Sequence, residues 1–459
     1  MGFFDTDTGI ASHLKNESIF DRLSPAQVLV LGFAFLILIG AGLLSLPVSS
    51  VSGEPTGFLD ALFTATSAVC VTGLVVVDTG THFSLFGQIV IMVLIQVGGL
   101  GFMTMGTLFA LIIGKKIHLK ERLIIQESLN QLTMEGVVRL AKSVLAITFL
   151  IEGIAAVLLG LRFSQDYGLA RGFYYGLFHS ISAFNNAGFD LLGGFRSMTG
   201  YVTDSTINAV VTILVILGGL GFTVVVDLYT RRKWRRLSLH TKVVLSTALV
   251  LLVFGMAAFF LLEYHNAATL APLSFKNKLT ASWFQSVTPR TAGFNTLDIA
   301  GLTNATQFFF IILMFIGAAP GSTGGGIKTS TFATLISAVT ALSRGKEDVE
   351  LFERRLPKEL VYRSLTIVLA SLFLVITVTM LLTITEQADF LTLLFESTSA
   401  FATVGLSMGI TTKLTVLGKL AITVTMFAGR LGPLTIAFAV AQRQRKTMYR
   451  LPEEKIMVG

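Results

Sequence analysis

Four loops of the chain each carry a glycine ten residues after an aromatic side chain. The glycines are Gly73, Gly188, Gly293 and Gly405, in the segments FTATSAVCVTG, FHSISAFNNAG, WFQSVTPRTAG and FESTSAFATVG. A ring of backbone carbonyls can replace the water around a K⁺ or Na⁺ ion without a fixed charge that would trap it. Glycine suits such a ring because it adopts positive φ and leaves no side chain in the passage. Four matched glycines therefore predict a single cation-binding ring.

The residues directly before these glycines differ from loop to loop: Thr72, Ala187, Ala292 and Val404. Their backbone carbonyls belong to the candidate cation site, but the glycine is the only residue of this pair that is the same in all four loops. We therefore expect one dependable ring of carbonyls, and looser selectivity than a stack of identical rings would give. Acidic residues follow three of the loops, and they either concentrate cations at the mouth, cap the loops or are simply solvated at the surface. They are Asp78, Asp190 and Asp298.

One further segment interrupts a long apolar stretch, and we call it the Gly-rich segment. It consists of Gly317, Ala318, Ala319, Pro320, Gly321, Ser322, Thr323, Gly324, Gly325 and Gly326. Such a run of glycines with a proline cannot continue a helix, and non-helical backbone at membrane depth must be buried in protein or line water. We expect a gate beside a pore, with a static kink as the alternative. A nucleotide-binding P-loop is excluded because Ile327 separates Lys328 from the last glycine and no strand precedes it.

Short glycine motifs lie in the apolar stretches that follow the other three glycine loops. They read GGLG at 98–101, GGLG at 218–221 and GRLG at 429–432. Small residues allow helices to pack closely, and a hinge or pore-lining role is the alternative. Arg430 replaces a glycine, and an arginine within a membrane is a functional candidate by default. Together with Lys328 it sets a barrier or holds the gate through its carbonyls; alternatively, it forms a structural ion pair with Glu152 or Glu396.

The composition identifies a membrane protein. Of 459 residues, 53% are hydrophobic and 14% are charged, whereas soluble domains carry roughly a quarter charged residues. No catalytic constellation or metal-ligand spacing of histidines is present, so an enzyme is not expected. Eight apolar stretches approach the length that crosses a bilayer: Val28–Leu46, Ile89–Ile113, Val137–Leu161, Ile207–Tyr229, Val243–Tyr264, Gln307–Leu342, Leu365–Ile384 and Leu417–Ala441.

Basic clusters predict the orientation of these spans. Clusters that begin at Lys115, Arg231, Arg344 and Arg443 each follow the last apolar stretch after a glycine loop. The positive-inside rule makes all four cytoplasmic, and nucleic acid is not an expected partner. Each repeat then crosses the membrane twice, and the helical segment before each glycine is too short to span and must be re-entrant. These segments lie near Leu59–Val69, Gly172–Phe184, Leu279–Val287 and Phe390–Phe401.

The predicted fold is an all-α membrane protein with four parallel helix–re-entrant loop–helix repeats around a pseudo-fourfold axis, eight spans and a single-chain pore. The repeats cover residues 28–115, 137–236, 243–346 and 360–445. Residues 1–27 and 446–459 are expected to form cytoplasmic N- and C-terminal segments. Transporters built from inverted repeats have an axis in the membrane plane, which this charge pattern does not fit.

The loops TATSAVCVTGL, SAFNNAGFD, SVTPRTAGFNT and TSAFATVGLS, each between two spans, resemble the potassium-translocating subunits of the Trk/Ktr/HKT superfamily. The chain is most similar to the bacterial KtrB type, from about Val28 to Arg445. The resemblance implies that the four glycines form a K⁺ selectivity filter and that the Gly-rich segment is the gate. Some members have serine at the first glycine position and favour Na⁺, so glycine in all four loops implies a preference for K⁺.

The resemblance also implies K⁺ uptake across a bacterial plasma membrane by a homodimer that Na⁺ stimulates. A KtrA-like cytosolic ring of RCK-type nucleotide-binding subunits would bind ATP or ADP, and this chain itself would need no cofactor. The alternative is an alternating-access symporter that couples K⁺ to Na⁺ or H⁺. Such a transporter needs paired broken helices, whereas the sequence obviously interrupts only the stretch Gln307–Leu342.

Overall fold

The structure, a computed structural model, describes residues 23–101, 119–128 and 136–433, with the isolated residues 104, 106, 435, 452, 454 and 457. The expected N-terminal segment up to residue 22, the basic residues Lys115 and Lys116, and nearly all of the C-terminal tail lie outside this part of the chain. Helices dominate the described residues. A short antiparallel hairpin pairs Glu350–Leu351 with Arg354–Arg355.

The same order of elements occurs four times along the described chain: a long helix, a loop helix that ends at a glycine loop, and a return helix. The long helices are Pro25–Leu44, Val137–Tyr167, Leu239–Glu263 and Lys358–Thr385. The loop helices are Phe58–Val69, Leu169–Phe184, Phe275–Val287 and Phe390–Phe401. The return helices are Leu85–Leu100, Ser205–Gly219, Asn304–Phe315 and Val416–Leu431.

Shorter elements connect these helices. Phe222–Arg231 and Thr329–Ser343 follow the second and third return helices, and Thr79–His82 and Leu119–Ser128 are further short helices. Single 3₁₀ turns lie at Pro47–Ser49, Thr199–Tyr201, Trp234–Arg236 and Thr411–Lys413. The four segments predicted as half-helices are the loop helices, so their helical structure is confirmed, while their position in a membrane stays a prediction.

Side-chain caps explain where the return helices begin. The side chain before each return helix accepts a hydrogen bond from the backbone N–H three residues later. This bond satisfies one of the donors that the first helical turn leaves free. The four caps are Ser84, Asp204, Thr303 and Thr415.

Two buried glutamates fasten the third and fourth return helices to their long helices. Glu263 accepts hydrogen bonds from the Thr303 N–H at 2.9 Å and from its hydroxyl at 2.8 Å. Glu386 accepts from the Thr415 N–H at 3.0 Å and from its hydroxyl at 2.6 Å. Each carboxylate therefore faces the partial positive charge at a helix N-terminus. The sequence analysis did not identify this arrangement.

Four helices of the described chain are long and apolar enough to cross a membrane, and they are the four long helices. The second return helix forms a fifth candidate together with Phe222–Arg231. The other return helices have only 12 or 16 residues. Four of the eight predicted spans are therefore continuous helices, and the remaining four stay predictions.

The second return helix is interrupted as well as the third, where the sequence analysis expected one interruption. The last glycine of each short motif, Gly101, Gly221 and Gly432, has φ of 83°, 89° and 84°, respectively, a conformation that ends a helix and that L-residues rarely adopt. The second return helix bends by 95° at this point. The expectation of a single broken span was wrong, because one glycine ends a helix where neighbouring segments support the turn.

The first glycine of each short motif packs against the loop helix of the same repeat. An ideal Cβ on this glycine would overlap a carbonyl oxygen at the end of that loop helix. The packing interpretation is therefore confirmed for the first glycine, whereas the last glycine ends the helix and a hinge role stays a prediction. The three pairs are Gly98 with Val69, Gly218 with Phe184, and Gly429 with Phe401.

A Gly218→Ala substitution tests this packing. The added methyl group would meet the backbone of Phe184, which cannot rotate away, so we expect a loss of about 1–3 kcal/mol of stability. Thermal unfolding of the purified protein in detergent measures the loss. The control is Gly153→Ala, where the Cβ meets no atom within 4 Å and a helical alanine should add about 0.5–1 kcal/mol. Equal effects of the two substitutions would contradict the packing assignment.

Candidate functional site

The four glycines predicted to form a ring are neighbours in space. An ideal Cβ on each would lie within 3.0 Å of the carbonyl oxygen directly before the next glycine in chain order. Because a backbone carbonyl cannot move aside as a side chain can, no residue with a side chain fits at these positions. The pairs are Gly73 with Ala187, Gly188 with Ala292, Gly293 with Val404, and Gly405 with Thr72, and the last pair closes the ring.

The four loops share a second conformational feature. The glycines have φ of 70° to 89°, and the residue two positions before each glycine also has positive φ. Such values are rare outside glycine, above all for β-branched residues. Strain of this kind persists where the surroundings impose it, and it concentrates at functional sites. The residues are Val71, Asn186, Thr291 and Thr403, and because their types differ, no motif revealed them.

Hydroxyl groups near the ends of the loop helices form hydrogen bonds with the backbone of the glycine loops. In the first and fourth loops, Ser67 and Ser399 accept the hydrogen bond of the glycine N–H at 3.0 and 3.1 Å. In the second and third loops, Ser182 and Thr288 donate to the carbonyl directly after the glycine. Serine six residues before the glycine in three of the four loops is a signal that the sequence analysis missed.

A buried polar network supports the second glycine loop. Glu152, which is 3% exposed, accepts from the Gln96 side-chain amide at 3.0 Å and from the Asn185 amide at 2.9 Å. Asn185 also donates to the Gln96 side-chain oxygen at 3.0 Å. Because Asn185 directly follows the second loop helix, the network ties that loop to the second long helix and the first return helix.

The Gly-rich segment lies directly against two of the glycine loops. An ideal Cβ on Gly324 would overlap the hydroxyl of Thr291, and one on Gly325 would overlap the hydroxyl of Thr403. Both threonines are the strained residues two positions before the ring glycines. The segment that sequence analysis selected as a gate is therefore in contact with the candidate ring.

Backbone hydrogen bonds hold the Gly-rich segment to the second return helix. The Ala319 N–H donates to the Gly219 carbonyl at 3.0 Å, and the Phe222 N–H donates to the Gly321 carbonyl at 2.9 Å. These bonds lie on both sides of the break at Gly221. The break thus leaves the Gly219 carbonyl and the Phe222 N–H available for hydrogen bonds with the Gly-rich segment.

Arg430 joins three parts of the site through backbone carbonyls. Its guanidinium donates to the Thr323 carbonyl in the Gly-rich segment. It also donates to the carbonyls of Gly98 at 2.5 Å and Gly99 at 3.0 Å, near the end of the first return helix. The expected contact of Arg430 with the Gly-rich segment is confirmed.

The alternative, an ion pair between Arg430 and a glutamate, was wrong. Glu152 is bound by two side-chain amides, and Glu396 is bound by the hydroxyls of Ser407 and Thr411. Arg430 instead uses carbonyls at the C-terminal end of the first return helix, which carry partial negative charge.

Lys328 lies on the same side of the segment as Arg430. Its ammonium donates to the Gly324 carbonyl at 2.6 Å. Both cationic side chains line a cavity of about 230 Å³, together with Ser322 and Arg363. Two basic side chains therefore lie next to the Gly-rich segment.

The three aspartates that follow glycine loops act as loop caps. Asp78 accepts from the Phe195 N–H at 2.8 Å, and Asp298 accepts from a nearby N–H at 3.1 Å. Asp190 accepts from the Leu192 N–H at 2.9 Å, and burial raises the pKa of its carboxyl to about 6. The capping interpretation is confirmed, while a role in concentrating cations stays a prediction.

Comparison with known proteins decides the family. The profile of the TrkH family, described as a cation transport protein, matches residues 12–449. The chain belongs to the TrkH family. The resemblance inferred from the glycine loops is confirmed, and this TrkH-family chain is a cation transport protein and not an enzyme.

Relatives of this TrkH-family chain match it over nearly its whole length. Ktr system potassium uptake protein B of Bacillus subtilis is 49% identical over 95% of this chain and 97% of its own length. Potassium/sodium uptake protein NtpJ of Enterococcus hirae is 42% identical over 97% of this chain and 100% of its own length. The potassium transporter TrkH from Vibrio parahaemolyticus has the same fold, with a TM-score of 0.73 at 19% identity over 92% of this chain and 86% of that chain.

Replacing Arg430 tests its hold on the Gly-rich segment. Arg430→Ala removes a charge-assisted hydrogen bond to that segment, a change of about 1.5–3 kcal/mol, so the segment should leave its position more often. We expect faster ⁸⁶Rb⁺ flux through the purified protein in liposomes, with Arg430→Lys intermediate. Arg363→Ala is the control, because Arg363 lines the same cavity. Slower or unchanged flux in Arg430→Ala would contradict the assignment.

Proposed function

We propose that this chain takes up potassium ions through a pore that a single chain forms, with the ring of Gly73, Gly188, Gly293 and Gly405 as selectivity filter. The observation that supports this most is the closure of the ring, in which each glycine meets the carbonyl before the next. Carbonyl oxygens held in this way can replace the hydration shell of K⁺. The names of the Bacillus and Enterococcus relatives support potassium as the ion.

The proposed filter has one ring, formed by the four glycines, in which all four residues are of the same type and all have positive φ. The carbonyls of Thr72, Ala187, Ala292 and Val404 lie next to the glycines and extend the K⁺ site. Glycine at all four positions keeps the opening wide enough for K⁺, whereas a serine would add a hydroxyl and reduce the opening. K⁺ preference therefore depends on the absence of side chains at these positions.

The Gly-rich segment is the gate in this proposal, from Gly317 through Gly326 with Lys328 and Arg430. Its contacts with Thr291 and Thr403 position it directly beside the ring. Arg430 and Lys328 bind its carbonyls and add positive charge that opposes a passing cation. Opening requires these bonds to break and the segment to leave the passage.

We propose the architecture that the charge pattern predicts: four parallel repeats around a pseudo-fourfold axis, eight spans, and both termini on the cytoplasmic side of a bacterial plasma membrane. The fourfold recurrence of long helix, loop helix and return helix supports it. So does the contact of the glycine loops in chain order, because parallel repeats bring equivalent loops to one axis.

We further propose a homodimer that works with a cytosolic ring of nucleotide-binding RCK subunits, on which ATP or ADP acts. The relative from Bacillus is named as part of a Ktr system, which supports a partner subunit. Stimulation by Na⁺ belongs to the same proposal, and the name of the Enterococcus relative, potassium/sodium uptake protein, supports it.

An alternating-access symporter that couples K⁺ to Na⁺ or H⁺ is the second candidate. The break at Gly221, in addition to the Gly-rich segment, supports this candidate, because transporters of that class use paired broken helices. Rb⁺ uptake driven by a K⁺ gradient alone, with no Na⁺ or H⁺ gradient, would exclude it. A strict need for a second gradient would exclude the pore.

Serine substitutions test the filter. Gly73→Ser and Gly293→Ser each add a side chain where neighbouring backbone leaves no space, so we expect K⁺-over-Na⁺ preference to fall about tenfold or more, equivalent to about 1.4 kcal/mol. Competition of Rb⁺ uptake by K⁺ and Na⁺ in liposomes measures the preference. Gly53→Ser is the matched control, since Gly53 also has positive φ, 73°, but meets no atom within 4 Å. Unchanged preference in both filter variants would contradict the proposal.

Shortening the Gly-rich segment tests the gate. Deletion of Ala318–Gly325 removes the groups that Arg430 and Lys328 bind, so we expect Rb⁺ flux to rise while K⁺ preference is retained. Lower or unchanged flux, measured on protein that elutes as a single species from size-exclusion chromatography, would show that the segment does not obstruct the passage.

A further inference from the structure

The cavity beside the Gly-rich segment is lined by several basic side chains. It has a volume of about 230 Å³, and Lys328, Arg363 and Arg430 line it. None of the described residues in its lining is an aspartate or a glutamate. Cationic groups that share one space repel one another, and an anion between them would compensate their charge. The lining therefore suits a negatively charged occupant.

These basic side chains keep hydrogen-bond donors for such an occupant. Lys328 donates to one carbonyl, whereas an ammonium has three donors. Arg430 donates to three carbonyls, whereas a guanidinium has five donors. No ion pair of Arg363 is recorded within the described ranges. An anion can therefore bind all three side chains while the contacts with the Gly-rich segment remain in place.

A buried hydroxyl without a partner lines the same cavity. Ser371 is 0% exposed, and its Oγ has no hydrogen-bond partner in the part of the chain that the structure describes. A buried polar group without a partner costs free energy, and an anion in the cavity would accept its hydrogen bond. Arg363, Ile367 and Ser371 all line the cavity. Because they follow one another at the i, i+4 spacing, the guanidinium and the hydroxyl belong to one face of the fourth long helix.

The helix Thr329–Ser343 begins at this cavity. Lys328, directly before the helix, and Thr331, in its first turn, both line the cavity. No side chain caps this end of the helix, and the Thr331 N–H has no recorded acceptor among the described residues. The start of a helix carries partial positive charge and free N–H groups, which favour phosphate and other anions. This end adds to the basic side chains and the Ser371 hydroxyl.

We infer that the cavity binds an anion with a phosphate group, and that the bound anion keeps the Gly-rich segment in its position against the ring. Arginine and lysine bind phosphate oxygens through strong charge-assisted hydrogen bonds. The anion connects Lys328 and Arg430, which hold the segment, to Arg363 and Ser371 on the fourth long helix. A ligand stabilises the arrangement to which it binds, so the anion lowers K⁺ uptake. The inference rests on the proposed function, because it assigns a regulator to the proposed gate.

Inorganic phosphate is the first probe. The protein is placed in phosphatidylcholine liposomes, and choline phosphate replaces choline chloride on both sides at constant ionic strength. Each ⁸⁶Rb⁺ uptake is expressed relative to that of the same variant without phosphate. Wild-type uptake should fall about threefold or more as the site fills. Arg363→Ala and Ser371→Ala each remove a donor to the anion, so half-inhibition should need about tenfold more phosphate.

Lys358→Ala is the matched control. It removes a basic side chain from the first turn of the same helix, and Lys358 does not line the cavity. Its uptake should respond to phosphate as that of the wild type does.

A lipid headgroup offers the same phosphate chemistry, and exposed Arg363 near the start of its helix makes the cavity accessible from the surface. A second set of liposomes therefore contains phosphatidylglycerol and no free phosphate. If the headgroup is the ligand, wild-type and Lys358→Ala uptake should fall in these liposomes, uptake by Arg363→Ala should fall less, and added phosphate should change little. Inhibition by free phosphate in phosphatidylcholine identifies the free anion instead.

Thermal unfolding in detergent gives a readout that does not depend on transport. Phosphate should raise the Tm of the wild type and of Lys358→Ala more than that of Arg363→Ala or Ser371→Ala. If Ser371→Ala does not fold, Arg363→Ala decides, because that side chain is exposed. Unchanged or faster wild-type uptake with both phosphate sources, or equal responses of the wild type and Arg363→Ala, overturns the site. Rb⁺ uptake that K⁺ still competes would show that the proposed function stands without it.

Discussion

Non-helical backbone within an apolar protein must find its hydrogen-bond partners inside the chain. The rest of this structure depends on how the backbone N–H and C=O groups of the glycine loops find such partners. In the proposed filter, carbonyls that face the centre of the ring cannot also pair with helix donors. Serine and threonine hydroxyls at the ends of the loop helices form hydrogen bonds with the backbone of the loops. Ser67 and Ser399, for example, accept from the N–H groups of Gly73 and Gly405. The glycines then face one another with no side chain between them. Positive φ and the lack of space for a Cβ make the arrangement unfavourable for any other residue type.

The same demand explains the interrupted return helices. A helix that ends at Gly101 or Gly221 leaves carbonyls without partners, and these groups bond to the neighbouring elements. The Gly-rich segment bonds across the break at Gly221. Arg430 takes the carbonyls of Gly98 and Gly99 together with that of Thr323. The ends and breaks of these helices thus create the contacts through which the Gly-rich segment, the return helices and the glycine loops are connected.

Much of the fold was predictable because its signals are local. Apolar length predicted the long helices, the recurring aromatic and glycine predicted the loop helices and the ring, and Pro320 with its glycines marked the interrupted third return helix. The positive φ of Val71, Asn186, Thr291 and Thr403 was not predictable, since each residue takes it only under the constraint of the assembled ring. The partners of Arg430 were ambiguous for a related reason. Sequence shows which charges are buried, but the choice between a carboxylate and a set of carbonyls depends on tertiary contacts.

The central claim is that four loops of one chain bind a single K⁺ between them. The most direct measurement is anomalous diffraction from crystals in which Tl⁺ replaces K⁺. The account predicts an anomalous peak on the axis of the ring, close to the carbonyls of Thr72, Ala187, Ala292 and Val404, and loss of this peak in Gly293→Ser. Peaks elsewhere in the protein with none at the ring would contradict it.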